Sequence, residues 1–129
     1  MLFRSRSLEA SKKPVDTDLQ FFLSQDSLMI SAANGPLWYR GYAEEPENGF
    51  SAQIDQILSR FGARSVVVSH TIPASRRITP RFQGRVFLID TGMLTPYFQG
   101  RPSALEISGS QRRAIYVGEP AQPLGSDSK

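Results

Sequence analysis

The sequence contains a single histidine, His70, and no cysteine, so thiolate metal sites and disulfides are excluded. His70 directly follows Ser65-Val66-Val67-Val68-Ser69, a β-branched run typical of a short buried strand. Because chemistry in α/β sheets gathers beyond the carboxyl ends of strands, this placement indicates a site. The alternative is a hydrogen-bonded structural histidine, since one imidazole cannot form a metal site that takes three or more protein ligands.

Arg40 and Asp90 are the other candidates for chemistry. Arg40 follows Trp38 and Tyr39, and its guanidinium could either stack on Trp38 or be held toward a phosphate, whose oxygens it matches with paired donors. Asp90 precedes Thr91-Gly92, where a carboxylate is a ligand, a base or, more commonly, the cap of a turn. The sequence alone leaves these alternatives open.

Arginine makes up twelve of the fifteen basic residues, and four arginines cluster around a predicted hairpin: Arg76, Arg77, Arg81 and Arg85. Charged side chains commonly protect exposed sheet edges, so we expect a solvated hairpin there. No nucleophile elbow, phosphate-binding loop, dinucleotide fingerprint or zinc-finger spacing occurs.

The elements that must position these residues alternate between helix and strand. Residues 50–61 place apolar side chains on one helical face, and Gly62 follows as a C-terminal cap. Residues 37–49 are predicted to be a loop, and residues 65–69 a strand buried on both faces. This order predicts an α/β sheet.

Two hairpins follow. Residues 78–82 and 85–89 flank Gln83-Gly84 in a predicted two-residue loop, and residues 103–107 and 111–117 flank Gly109-Ser110. Residues 90–100, rich in glycine and proline, are predicted to form a long loop between them.

The chain ends and the charge distribution limit the function classes. We expect a disordered lead at residues 1–15, a short helix within 16–30 capped by Asp16 or Thr17, a folded domain over 16–117, and a disordered tail at 118–129.

The net charge of +3 arises from the lead, so the body is neutral and no nucleic-acid surface is expected. No apolar run is long enough to cross a membrane, and no signal peptide is evident, so a cytoplasmic location is the default expectation.

The ordered set of motifs resembles a known family. It runs from Gly35-Pro36-Leu37-Trp38-Tyr39-Arg40-Gly41 through Val66-Val67-Val68-Ser69-His70-Thr71 to Arg81–Met93 and Gly100–Ile107. This set is similar to the C-terminal part of bacterial calcineurin-like metallophosphoesterases, in the branch close to serine/threonine protein phosphatases. The resemblance covers roughly residues 33–117. It implies an incomplete C-terminal half of a two-sheet α/β sandwich.

The resemblance also implies a chemistry. Members of the family hydrolyse phosphate esters or phosphoproteins at a pair of divalent metals (manganese, iron or zinc). By this resemblance His70 matches a metal-ligating histidine, Arg40 a phosphate-binding arginine, and residues 92–101 a segment at the rim of the site.

The sequence departs from the family in two respects. Ser69 stands where the family usually has glycine, so the serine could either tighten or displace the His70 loop, which bears on metal ligation by His70. The N-terminal motifs that supply most metal ligands (Asp-x-His, Gly-Asp and Gly-Asn-His-Glu) do not occur. We therefore expect that this chain alone does not hold the metal pair and is inactive in isolation. The alternatives are a non-catalytic interaction module with the same fold and a chain completed by a separate N-terminal half.

Overall fold

The computed structural model describes residues 17–25, 28, 29, 32 and 35–126. The chain divides into two units, Met1–Tyr39 and Arg40–Lys129. In the first, the predicted short helix forms as α1 (Thr17–Ser24), with Thr17 inside the helix rather than capping it; Asp16 lies outside the described residues. The remaining helices are α2 (Gly41–Glu44), α3 (Glu47–Phe61) and α4 (Thr95–Phe98), and the strands are β1 (Val66–Val68), β2 (Thr79–Arg81), β3 (Val86–Leu88), β4 (Ser103–Ser108), β5 (Gln111–Tyr116) and β6 (Gln122–Ser126).

The predicted amphipathic helix is confirmed as α3, which ends where Gly62 adopts a left-handed conformation with φ of 59°. It begins at Glu47, so the predicted loop over residues 37–49 is wrong in part, and α2 also lies within that range. Pro46 has a fixed φ that suits the residue before the first turn, and Glu47 complements the positive helix N-terminus.

One end of the predicted apolar face of α3 lies in solvent. Ile54 and Leu58 are buried, whereas the Phe61 side chain is 75% exposed. The helix spans about 22 Å at 1.5 Å per residue, and the three-residue strands of the sheet beneath it span only about 10 Å. The last turn therefore extends past the surface that buries the middle of the helix.

Three strands form the first sheet, in the order β1-β3-β2, with β1 parallel and β2 antiparallel to β3. The central strand β3 is buried along its whole length. The prediction that β1 is buried on both faces is wrong, because β1 is the edge strand of this sheet and Val67 is 42% exposed. Consecutive valines satisfy the β-propensity of an edge strand as well as that of a central one.

The first predicted hairpin forms with a longer loop than expected. Arg81 pairs with Val86, which leaves four residues in the loop instead of two. Phe82, Gln83 and Gly84 all have positive φ, at 51°, 57° and 81°. The Phe82 side chain is 1% exposed in the core beneath α3, so strand pairing stops early to let this ring turn inward.

The second hairpin is confirmed, since Ser108 pairs with Gln111 around the two-residue loop Gly109-Ser110. The predicted disordered tail over residues 118–129 is corrected, because Gln122–Ser126 forms β6 and pairs with β5. Proline and glycine in this segment conceal a strand that the open backbone edge of β5 stabilises. The predicted lead at residues 1–15 lies outside the described residues, and the 16–117 domain boundaries stay a prediction.

Two apolar clusters form the core, one on each sheet. Val86 and Leu88 pack with Ile54 and Leu58 on the helix side of the first sheet. On the second sheet, Ala114 and Tyr116 pack with Ile78 in a separate cluster. The predicted α/β class with two sheets is confirmed. Among the described residues, no helix has both the length and the hydrophobicity needed to cross a bilayer.

Candidate functional site

His70 lies just beyond the carboxyl end of β1, as the sequence predicted. Its side chain is exposed and its backbone is left-handed, with φ of 69°. Ser69 does not adopt this conformation, so the unusual dihedral falls on His70 itself. Whether Ser69 tightens or displaces the His70 loop stays a prediction.

Arg40, the residue directly before α2, lies next to His70. Its Nη1 donates hydrogen bonds to the carbonyl oxygen of His70 and, at 2.8 Å, to Oγ1 of Thr71. Nε and Nη2 of Arg40 make no hydrogen bond within the described part of the chain. The side chain is thus anchored by one nitrogen, while the edge that can bind an oxyanion with two parallel donors is left available. Stacking of Trp38 on Arg40 stays a prediction.

The loop after β3 is tightly closed. Oδ1 of Asp90 accepts the Gly92 N–H at 2.9 Å, which confirms the turn-capping alternative for this carboxylate. Thr91 is fully buried, and its Oγ1 lies 2.8 Å from both the Arg101 carbonyl oxygen and Ser103 Oγ. The beginning of this loop is therefore fixed to its end and to the start of β4.

The loop after β3 packs against the loop that carries His70. A Cβ placed on Gly92 would lie 3.2 Å from Cδ1 of Ile72, two residues beyond His70. The same Cβ would lie 2.8 Å from Cβ of Phe98 in α4. Gly92, with φ of 68°, therefore fills the small space where these two loops meet.

Arg81 and Arg85 of the first hairpin are not the solvated side chains that the sequence suggested, whereas Arg76 is exposed as expected. Arg81 donates to the carbonyl oxygens of Tyr42 at 2.9 Å and Glu45 at 2.6 Å. Arg85 contacts Asp55 of α3 and donates from Nε to the Phe82 carbonyl oxygen at 2.8 Å. These two arginines fix the hairpin to α2 and α3. Charge patterns in the sequence do not reveal such contacts, because the partners are backbone carbonyls or an acid distant in the sequence.

Glu119 is a residue that the sequence analysis did not single out. Its carboxylate pairs with Arg77, at 2.6 Å from Nη2 to Oε2, and with Arg101. The hydrogen bond from Arg77 lowers the pKa of Glu119, while burial acts in the opposite direction. The same hydrogen bond raises the pKa of Arg77. No local motif marks Glu119, since its partners are far away in sequence.

The donor set of the described residues does not fit a two-metal centre. Among residues 17–25, 28, 29, 32 and 35–126, no group of three or more histidine, cysteine, aspartate or glutamate side chains converges on one point. Asp90 caps the turn at Gly92 through Oδ1, and His70 is the only imidazole in the sequence. A metal pair at this corner would need ligands from outside these residues.

A cleft of about 290 Å³ lies elsewhere in the second unit. It is bounded by the turn between β2 and β3 and by β5 and β6, with Arg81, Phe87, Arg112 and Leu124 in its wall. His70 and Arg40 do not line it, so the cleft is separate from the candidate site.

Sequence comparisons connect the chain with phosphatases. The chain is 32% identical over 114 residues to Shewanella-like protein phosphatase 1 of Plasmodium berghei, covering 84% of this chain and 29% of that protein. It is 33% identical over 84 residues to an uncharacterized protein of Schizosaccharomyces pombe, covering 65% of this chain and 25% of that protein. No family model matches the sequence.

Solved structures share the fold. A cold-active protein tyrosine phosphatase matches 98% of this chain with a TM-score of 0.64 at 21% identity, and this chain covers 35% of it. A cold-active protein-tyrosine phosphatase of a psychrophilic Shewanella species matches 97% of this chain with a TM-score of 0.62 at 23% identity. The chain thus matches the fold of a segment that makes up about a third of each of these phosphatase chains. It spans less than a third of the length of the two curated relatives. Together the comparisons support a phosphatase relationship.

Proposed function

We propose that this chain supplies part of a metal-dependent phosphoesterase site that hydrolyses phosphate monoesters or phosphoproteins. In this site Arg40 binds phosphate oxygens and His70 is one metal ligand. The observation that carries the proposal is the pair of hydrogen bonds from Arg40 to the His70 carbonyl oxygen and to Thr71. They bring two predicted site residues, which are distant in the sequence, together at the carboxyl end of a strand.

The geometry of Arg40 suits an oxyanion. Its anchoring by Nη1 fixes the plane of the guanidinium and leaves Nε and Nη2 as a pair of parallel donors. Such a pair matches two oxygens of a phosphate group, and a pre-positioned side chain loses less entropy on binding.

The assignment of His70 rests on its chemistry and position. An exposed imidazole at the end of a parallel strand can present a nitrogen to a metal ion. The described residues do not complete the coordination, so we expect the chain alone to show no turnover of p-nitrophenyl phosphate with added manganese. The other ligands would come from a segment outside the described residues.

A chimera tests the proposal. This chain would replace the matching segment of the Plasmodium relative, provided that relative hydrolyses p-nitrophenyl phosphate in the same assay. We expect an active chimera that loses at least roughly a hundred-fold in kcat/KM with His70→Ala, because losing a direct ligand should cost no less than losing a residue that only orients a ligand. Arg40→Ala should mainly raise KM.

The matched control is Arg60→Ala, which removes an exposed arginine at the end of α3 and should leave activity unchanged. A folded chimera whose activity is unaffected by His70→Ala would disprove the assignment of His70. Equal effects of Arg40→Ala and Arg60→Ala would disprove the role of Arg40.

A further inference from the structure

The Glu119 carboxylate is shared among three side chains. Oε2 accepts a hydrogen bond from Nη2 of Arg77 at 2.6 Å and from Nε2 of Gln122 at 2.9 Å. Oε1 accepts from Nη1 of Arg101. The Glu119 side chain is 26% exposed, so its carboxylate is half-buried between the turn after β5 and the loops that carry Arg77 and Arg101.

The two arginines belong to the loops that meet at the candidate site. Arg77 ends the loop that begins with His70 and Thr71, and Arg101 closes the loop that begins at Asp90. These loops also contact each other where Ile72 packs at Gly92. One carboxylate therefore connects the far ends of both loops, while their near ends are packed together.

The end of the His70 loop is held on more than one side. The Arg77 guanidinium lies 4.2 Å above the Tyr116 ring, and the Tyr116 hydroxyl accepts the Ile78 N–H at 2.8 Å. Tyr116 is 2% exposed and belongs to β5. Arg77 is thus fixed by the core of the second sheet and can transmit the position of Glu119 to the loop.

We propose that Glu119 is a positioning residue, which through Arg77 and Arg101 fixes the two loops against each other and so sets the orientation of His70. This inference rests on the proposed function for its significance, because it names a residue that acts on that same site without touching substrate. An isolated exposed ion pair would contribute little to the fold, whereas a carboxylate that closes two loops limits their motion.

The test uses nuclear magnetic resonance on the full chain without metal or phosphate. Because the chain has one histidine, its imidazole Cε1–Hε1 group gives a single signal that reports on the site. Glu119→Gln should shift that signal. It should also speed amide exchange in residues 71–77 and 91–101 by roughly ten-fold or more, while β3 and α3 keep their protection.

Glu106→Gln is the matched control. Glu106 lies in β4 of the second sheet and pairs with Nε of Arg113 at 2.7 Å, without a hydrogen bond or ion pair to either loop among the described residues, so Glu106→Gln should leave the His70 signal and the loop amides unchanged. Arg101→Gln removes one connection only and should affect residues 91–101 more than residues 71–77. Glu119→Asp should restore part of the protection, since it retains the charge.

The inference is overturned if Glu119→Gln lowers the unfolding midpoint but leaves the His70 signal and the loop exchange as in the wild type. That result would make Glu119 a purely structural residue of the β5–β6 turn. Since these measurements contain no substrate or metal, they are independent of the chimera assay. A chimera indifferent to His70→Ala would remove the proposed function even if Glu119 positions the loops.

Discussion

At the scale of single residues, the loops around the candidate site contain positions with an unusual backbone conformation and positions with no space for a side chain. His70, Gly92 and Gln99 all have positive φ, at 69°, 68° and 58°. Gly100 is more restricted than Gly92, since a Cβ there would lie 1.7 Å from the Thr91 carbonyl oxygen and 2.4 Å from that of Gly92. Because backbone atoms cannot move aside as a flexible side chain does, only glycine fits at residue 100.

Gly100→Ala should therefore lower the free energy of unfolding by about 3 kcal/mol or more, because the loop after β3 must open to accept a methyl group. The control is Gly49→Ala in α3, where nothing lies within 4 Å of an added Cβ. That change should be neutral or stabilise by up to about 1 kcal/mol, since alanine favours helix. Urea unfolding measures both, and equal effects would contradict the steric account.

At the scale of elements, arginine side chains connect helices and strands that have few backbone contacts with each other. Arg81 of β2 donates to the carbonyl oxygens of Tyr42 and Glu45, which belong to α2 and its C-terminal cap. Its side chain is 15% exposed and its guanidinium lies 4.8 Å from the Phe82 ring. Arg81 thus donates to carbonyl oxygens at the end of a helix, where the helix itself supplies no N–H partner.

Arg81→Met keeps the apolar stem of the side chain but removes every donor. We expect a loss of about 2 kcal/mol in the free energy of unfolding, as is typical for hydrogen bonds from a charged group. Arg113→Met is the control, because Arg113 is 44% exposed and pairs with Glu106 at the surface. It should cost no more than about 0.5 kcal/mol. Similar losses in the two variants would contradict the role given to Arg81.

At the scale of the whole molecule, the second unit is held together by two apolar clusters and by long-range ion pairs around Glu119. The first sheet is packed under α3 through Ile54 and Leu58, and the second sheet through Tyr116 and Ile78. Glu119 pairs with Arg77, which precedes β2 of the first sheet, and with Arg101, which precedes β4 of the second. The stability of the unit should therefore depend on the ionisation of this carboxylate.

The hydrogen bond from Arg77 holds the pKa of Glu119 below its ordinary value of 4.5 in the folded state. Its stabilising contribution is therefore complete above that value and is lost as the pH falls through the lower, folded-state pKa. We expect the wild type to unfold at higher urea than Glu119→Gln near pH 7, and the two midpoints to converge as the pH drops below about 4. A gap that stays constant down to pH 3 would contradict this.

Local sequence patterns were enough to predict several elements. The spacing of Ile54 and Leu58 and the cap at Gly62 predict α3, and Gly109-Ser110 predicts the second hairpin, because helix periodicity and tight turns depend on neighbouring residues. The position of His70 after β1 follows from the same local order. The α/β class could therefore be predicted before any tertiary contact was known.

Only the tertiary structure decided which residues meet. β6 forms because β5 offers an open edge, β1 lies at the edge of its sheet, and Phe82 lengthens its hairpin because the core draws the ring inward. Arg40 reaches His70, and Glu119 reaches Arg77 and Arg101, across long stretches of chain. Side-chain partners of this kind depend on distances in space, which the order of residues along the chain does not contain.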